Sequence, residues 1–110
     1  MIYVRLNGEL HPATIHGKIS DPEWDGRETK TITLTMDYAT AAETFINGLI
    51  WSIVEISGES MKEYSNNIFT LAGDLIDHRN GTITAKMGRL TPLEEAYEIM
   101  FGGMENVNQG

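Results

Sequence analysis

The chain has no cysteine, only eight basic residues and no long apolar run. Each of these absences excludes some classes of function. Without cysteine there is no disulfide, no thiolate metal site and no cysteine nucleophile. Sixteen acidic residues against eight basic ones give a formal net charge of −8. Nucleic acid and anionic membrane surfaces would be repelled overall, because both are bound through Lys and Arg. We therefore expect neither a nucleic-acid nor a membrane partner.

The N-terminus and the apolar segments show no targeting or membrane signal. The most apolar stretch, residues 45–56, is interrupted by Asn47-Gly48 and carries Glu55. It is shorter than the roughly 20 apolar residues that a membrane-spanning helix needs. Residues 1–5 do not have the basic segment and long apolar segment of a signal peptide. We expect a soluble, intracellular protein without a signal peptide.

The length of 110 residues and a hydrophobic content of 41% are typical of one globular domain. Within it, two segments share a pattern of alternating apolar residues, Thr31–Met36 and Thr82–Met87. Each is followed by a Thr-x-x-Glu sequence, at residues 40–43 and 91–94, which is typical of a helix start. Asn80-Gly81 is typical of a tight hairpin. The order of these features predicts that one unit occurs twice.

The pattern predicts an α+β fold made of a duplicated β-β-β-α unit, with two helices packed on a mixed or antiparallel sheet. A single domain is expected over residues 1–110, with pseudo-repeats at about 1–49 and 50–101 and a flexible tail at 102–110. We predict strands near residues 2–6, 12–20, 29–36, 50–56, 68–76 and 82–87, and helices near 40–48 and 91–101.

Several groups of polar residues are candidate chemical sites. The loop Asp21–Gly26 alternates carboxylates like the start of an EF-hand, but its twelfth position is Ile32, which cannot bind calcium. Asp74, Asp77 and His78 are close in sequence and could act as acid and base, although a hairpin end in water is the simpler interpretation. We therefore predict no catalytic residue, no metal and no cofactor, and expect that the protein is not an enzyme.

The residues that favour protein binding are concentrated in the acidic loop. Trp24 lies there between carboxylates, and an exposed aromatic residue in a polar rim is typical of an interface anchor. The alternative is that Trp24 folds back over its own sheet. Asp25 and Arg27 follow it in the same loop, and Met104 follows the second predicted helix without a role in the core. We predict Trp24, Asp25, Arg27 and Met104 as protein-interaction residues.

Three segments carry a family resemblance: Asp25–Glu28, Leu71–Arg79 and Met87–Ala96. They resemble small uncharacterised proteins encoded in prophage structural gene clusters of Gram-positive bacteria, among tail and baseplate genes. The resemblance implies a non-enzymatic structural or assembly protein that acts through protein contacts, is a homo-oligomer, and is cytoplasmic in the host cell or virion-associated. Two alternatives remain open: a small ligand-binding or regulatory module with a groove between the repeats, and a small hydrolase or isomerase.

Overall fold

The computed structural model describes residues 1–91 together with Leu93 and Glu94. Seven strands run along this part of the chain: β1 (Ile2–Leu6), β2 (Glu9–Asp21), β3 (Arg27–Thr35), β4 (Trp51–Ser57), β5 (Ser60–Ser65), β6 (Leu71–Asp77) and β7 (Thr82–Gly88). A 3-10 turn, Pro22–Trp24, connects β2 to β3, and the helix α1, Tyr38–Thr44, connects β3 to β4.

All seven strands belong to one sheet, in the order β5-β4-β1-β2-β3-β7-β6. Every neighbouring pair is antiparallel. Between β3 and β7, Ile32 lies opposite Ala85, and Thr33 lies opposite Thr84. β5 and β6 are consequently the two edge strands of the described sheet.

One face of the sheet carries the hydrophobic core, because side chains alternate between the faces along each strand. The buried residues of this core come from the strands, from α1 and from the segments that follow it: Val4, Leu6, Ile32, Leu34, Ala41, Phe45, Leu49, Trp51, Phe69, Ile83, Ala85 and Met87. The Trp51 indole donates a 2.8 Å hydrogen bond to the Phe69 carbonyl, which satisfies its N–H inside the core.

The opposite face is polar and rich in threonine. Thr33 and Thr84 lie side by side there, and their hydroxyl oxygens are 2.8 Å apart. Thr14 continues the same row on β2, opposite Thr33. This polar alternation is what keeps one side of an antiparallel sheet in water.

The predicted α+β fold with two helices is wrong, because the described chain is mainly one antiparallel sheet and α1 is its only complete helix. α1 also begins earlier and ends earlier than predicted. Its N-cap is Asp37, whose carboxylate accepts a 3.0 Å bond from the Thr40 amide, so Thr40 lies inside the helix. The predicted helix at 91–101 lies outside the described residues beyond Glu94, and the tail at 102–110 lies wholly outside them. The Thr91–Glu94 capping box does form, with reciprocal bonds of 2.9 and 3.2 Å.

The predicted duplication of a β-β-β-α unit is also wrong as a description of the sheet. In the first half, β1, β2 and β3 are neighbours in chain order. In the second half, β4 and β6 are separated by those three strands and β7, and β5 is an additional strand. β5 has no apolar alternation, because all six of its residues are exposed. A polar edge strand therefore left no periodic signal in the sequence.

Candidate interaction surfaces

The loop between β2 and β3 folds back onto the β6–β7 end of the sheet. The Trp24 indole lies over two glycines, Gly73 and Gly88, and is half-buried. A Cβ atom added at Gly73 would lie 2.8 Å from Cη2 of Trp24, and one at Gly88 would lie 2.6 Å from Cε3. Only glycine leaves room for the ring at these positions. Gly73 lies where the β6–β7 register shifts between Ala72 and Leu75, which is a β-bulge.

A buried carboxylate holds this loop in place. Asp21 is fully buried, and it accepts hydrogen bonds from the Thr29 hydroxyl (2.9 Å), the Lys86 ammonium (2.8 Å) and the Glu23 amide (3.0 Å). The Lys86 hydrogen bond is the main cause that lowers the pKa of Asp21 to about 2. Asp21 in turn raises the pKa of Lys86. The Lys86 ammonium also lies 5.9 Å from the centre of the Trp24 ring.

Arg27 makes a second set of stabilising contacts at the same end of the sheet. Its guanidinium donates to the carboxylate of Glu94, with 3.0 Å between Nη2 and Oε2, and to the carbonyl of Arg89 at 2.7 Å. The Arg27 hydrogen bond is the largest contribution that lowers the pKa of Glu94 to about 2. Arg89 itself pairs with Glu28 at 2.8 Å.

Of the predicted interaction residues, Trp24, Asp25 and Arg27 are described, and these three do not form one exposed surface. Trp24 packs on its own sheet, as the alternative interpretation had it, and the guanidinium of Arg27 is occupied within the chain. Asp25 is exposed in a left-handed conformation with φ of 55°. Met104 lies outside the described residues. Binding by these four residues stays a prediction.

The acid–base candidates lie at the hairpin between β6 and β7. Asp74, Asp77 and His78 are exposed. The His78 ring nitrogen Nε2 is 2.7 Å from the Thr84 hydroxyl, and Asp77 accepts a 2.8 Å bond from the amide of Arg79. Over residues 1–91, 93 and 94, no group of three or more His, Asp or Glu side chains could hold a metal ion.

The calcium-like loop uses its carboxylates within the protein. Asp21 and Glu23 both bind the same ammonium group, that of Lys86, at 2.8 and 3.1 Å. A lysine from a distant strand thus supplies the positive charge that a calcium ion would supply in an EF-hand. The spacing within the loop alone could not reveal this partner.

Strand β5 is a surface that the sequence reasoning missed. The Asn66 amide donates to the Trp51 carbonyl at 2.9 Å, and the register with β4 continues unbroken from Ser65 to Ser60. Because inward and outward backbone groups alternate along an antiparallel strand, those of Met61, Glu63 and Ser65 point away from β4. No strand in the described part of the chain pairs with this outer side.

The side chains of β5 are anchored to the rest of the sheet at one point. Glu63 accepts bonds from Arg5 Nε at 3.0 Å and from the Ser52 hydroxyl. Arg5 is the largest cause that lowers the pKa of Glu63. Met61 and Tyr64 remain 57% and 49% exposed. In the sequence, this strand is indicated only by Gly58, a residue typical of turns. In the structure Gly58 lies in the turn before β5, with φ of +60°.

The core face also carries an apolar groove of about 770 Å³. Its apolar lining includes five residues that share this face of β1, β2, β3 and β4: Ile2, Ala13, Ile15, Leu34 and Ile53. Strands from both halves of the chain therefore contribute to it. Among the described residues, no ionisable side chain lines the groove.

Comparisons with protein-family models, with curated proteins and with solved structures found no match to this chain. Within the part of the chain that the structure describes, no helix has the length and apolar character needed to cross a membrane.

Proposed function

We propose that this protein is a non-enzymatic structural or assembly component that acts through protein–protein contacts, and that β5 is its main contact surface. The supporting observation is an edge strand of six exposed residues with a row of outward backbone groups. Such an edge readily accepts another extended strand, because the backbone hydrogen bonds supply affinity. Met61 and Tyr64 on the same strand add apolar surface for a partner.

The ionisable groups favour this function over catalysis. Among the described residues, the carboxyl groups with the most strongly lowered pKa, those of Asp21 and Glu94, are each bound to a cation of the same chain. Such ion pairs stabilise the folded chain, whereas a catalytic acid or base needs access to a substrate. The setting in a phage-derived particle depends on the sequence resemblance alone. A gene far from any tail or baseplate genes would remove that setting without affecting the contact function.

A photocrosslinking experiment tests the contact surface. The photoreactive amino acid p-benzoylphenylalanine would replace Met61 on β5 or, as the matched control, Asp77 on the opposite edge β6. Both variants would be expressed in the cells in which the gene naturally occurs. We expect irradiation to give one discrete protein adduct from position 61 and little or none from position 77. Absence of a discrete adduct from position 61, or equal adducts from both positions, would contradict the proposal.

The apolar groove favours a second candidate function, the binding of a small apolar ligand between strands of the two halves. Its volume is within the range of ligand pockets, about 300–1,000 Å³. Such pockets normally include a few polar groups that orient the ligand, and four threonines line this one: Thr14, Thr33, Thr35 and Thr82. Nile red, a neutral apolar dye, would test it. We expect binding that Ile15→Lys abolishes and that Ile76→Lys, an equal change at an exposed site on β6, leaves intact. No saturable binding to the unmodified chain would remove this candidate.

A further inference from the structure

The outer side of β5 has the pattern needed for pairing with a second copy of itself. Two antiparallel copies of one edge strand are related by a twofold axis perpendicular to the sheet, and such an axis keeps the same face upward in both. Side chains opposite each other must then come from the same face. Met61, Glu63 and Ser65 share one face and Lys62 and Tyr64 share the other, because neighbouring side chains alternate.

Charge selects the register among the symmetric pairings. An axis at Lys62 would place two lysines directly opposite each other, which is destabilising. An axis at Tyr64 would leave much of β5 without a partner. An axis at Glu63 pairs Met61 with the partner's Ser65 and Lys62 with the partner's Tyr64. This register joins all three outward residues in about six backbone hydrogen bonds.

The central glutamates are the one unfavourable contact in this register, and the structure already compensates for it. Each Glu63 carboxylate is bound by Arg5 of its own chain at 3.0 Å. The two ion pairs would meet across the axis as neutral units. Each Lys62 ammonium would lie beside the ring of the partner's Tyr64, which is a favourable cation–π arrangement.

The other edge of the sheet is less suited to this role. The register of β6 is broken by the bulge between Ala72 and Leu75, and bulges protect edges from pairing. Its exposed charged side chains, Asp74 and Asp77, are both acidic. In a chain with a net charge of −8, two such edges would repel each other, whereas β5 carries Lys62 and the neutralised Glu63.

We propose that the protein forms a twofold-symmetric homodimer in which β5 pairs antiparallel with β5 of a second copy, with Glu63 at the axis. The two sheets become one continuous sheet of 14 strands, twice the seven of one chain. This inference rests on the proposed function of β5 as a contact surface and names its partner.

Light scattering after size-exclusion chromatography tests the dimer with the full chain over a concentration series. We expect the mass to rise with concentration towards twice 12.3 kDa. Met61→Pro removes an outward N–H that does not bond to β4 and should keep the chain monomeric. Asp77→Pro, the matched change on β6, should leave the dimer intact. Dimers that persist in Met61→Pro would overturn the proposal.

A second pair of variants keeps the test valid if proline disturbs the fold. Lys62→Glu exchanges the lysine beside the partner's Tyr64 for an acid, and we expect the dimer dissociation constant to rise about tenfold. Lys18→Glu makes the same change of charge at an exposed site on β2 and should have little effect. Equal effects of the two variants would show that net charge, and not β5, governs association.

The outcomes separate this inference from the function on which it rests. A chain that stays monomeric at every concentration, but gives a crosslink from position 61 to a different protein, refutes the homodimer and supports β5 as a contact surface. A chain that stays monomeric and gives no crosslink from position 61 refutes both.

Discussion

The two ends of the sheet are built in opposite ways. At the β6–β7 end, the loop after β2 returns over the sheet, Trp24 covers Gly73 and Gly88, and Asp21 is buried against Lys86. At the β5 end, every residue of the edge strand is exposed. At the β6–β7 end the aromatic and charged groups make contacts within the chain. At the β5 end the side chains and the outward backbone groups remain available for contact with a partner.

The two ends separate the residues that stabilise the fold from the surface that can bind a partner. Trp24 and the carboxylates of its loop, which are conspicuous in the sequence, lie at the β6–β7 end. The exposed edge is made of ordinary residues such as Lys62 and Ser65. We therefore expect substitutions at the β6–β7 end to change stability, and substitutions at the β5 end to change association.

The largest effect is expected where Trp24 packs on Gly73. Gly73→Ala places a methyl group inside the indole and should reduce the free energy of unfolding by about 1–3 kcal/mol. Trp24→Ala should reduce it by about 2–4 kcal/mol, because an aromatic ring loses its packing. Chemical denaturation of both single variants and the double variant measures these losses.

The double variant is the decisive arm of that experiment. Once the ring is absent, we expect Gly73→Ala to cost less than about 0.5 kcal/mol, so that the two changes are strongly non-additive. Gly17→Ala is the matched control, because its Cβ would meet nothing closer than the Thr29 carbonyl oxygen at 4.0 Å. Additive losses would show that Trp24 does not rest on Gly73.

The buried Asp21 predicts a dependence of stability on pH. Its folded pKa of about 2 lies below the ordinary value of 3.8. Its contribution is therefore present in full well above pH 3.8 and is lost as the pH falls from about 4 towards 2. We expect Asp21→Asn to be clearly less stable than the unmodified chain at pH 7, with the difference narrowing below about pH 4.

Urea denaturation at pH 7, 5, 4 and 3 would measure this difference. Asp74→Asn, at an exposed position on β6, makes the same change of charge and should be nearly neutral throughout. A difference between Asp21→Asn and the unmodified chain that stays constant down to pH 3 would argue against a charged Asp21 in the folded state.

Much of the strand pattern could be predicted from the sequence, because apolar alternation reports burial. The cores of β3 and β7, with Ile32 and Ile83, follow from it directly. The strand β5 could not be predicted, since an exposed strand has no apolar period. The duplication was inferred from local similarities, but strand order depends on contacts between distant residues that local patterns do not contain.

The candidate site was less predictable than the fold. The packing of Trp24 depends on two glycines that lie 49 and 64 positions away in the chain, and neither glycine has a positive φ that would mark it. The carboxylates of the calcium-like loop bind Lys86, which is likewise distant in sequence. The Thr91–Glu94 capping box was predictable because all of its atoms lie within one helical turn.

A smaller effect on stability is expected at the β5 end. Glu63→Gln removes the carboxylate that Arg5 binds, but the two side chains are 37% and 34% exposed, so solvent already screens the pair. We expect the melting temperature to fall far less than in Asp21→Asn, measured by circular dichroism at low protein concentration. Glu59→Gln in the adjacent turn is the control. A fall in melting temperature for Glu63→Gln as large as that for Asp21→Asn would show that the β5 end is also stabilised by its ion pair.

Hydrogen exchange compares the two ends most directly. The amides of Met61, Glu63 and Ser65 on β5 and of Leu75 and Asp77 on β6 would be followed at a low and a high protein concentration. We predict that exchange of the three β5 amides slows markedly as the concentration rises, because they become bonded to a second copy, while the two β6 amides do not change. Exchange at β5 that is independent of concentration, or slowing confined to β6, would contradict the assignment of β5 as the contact edge.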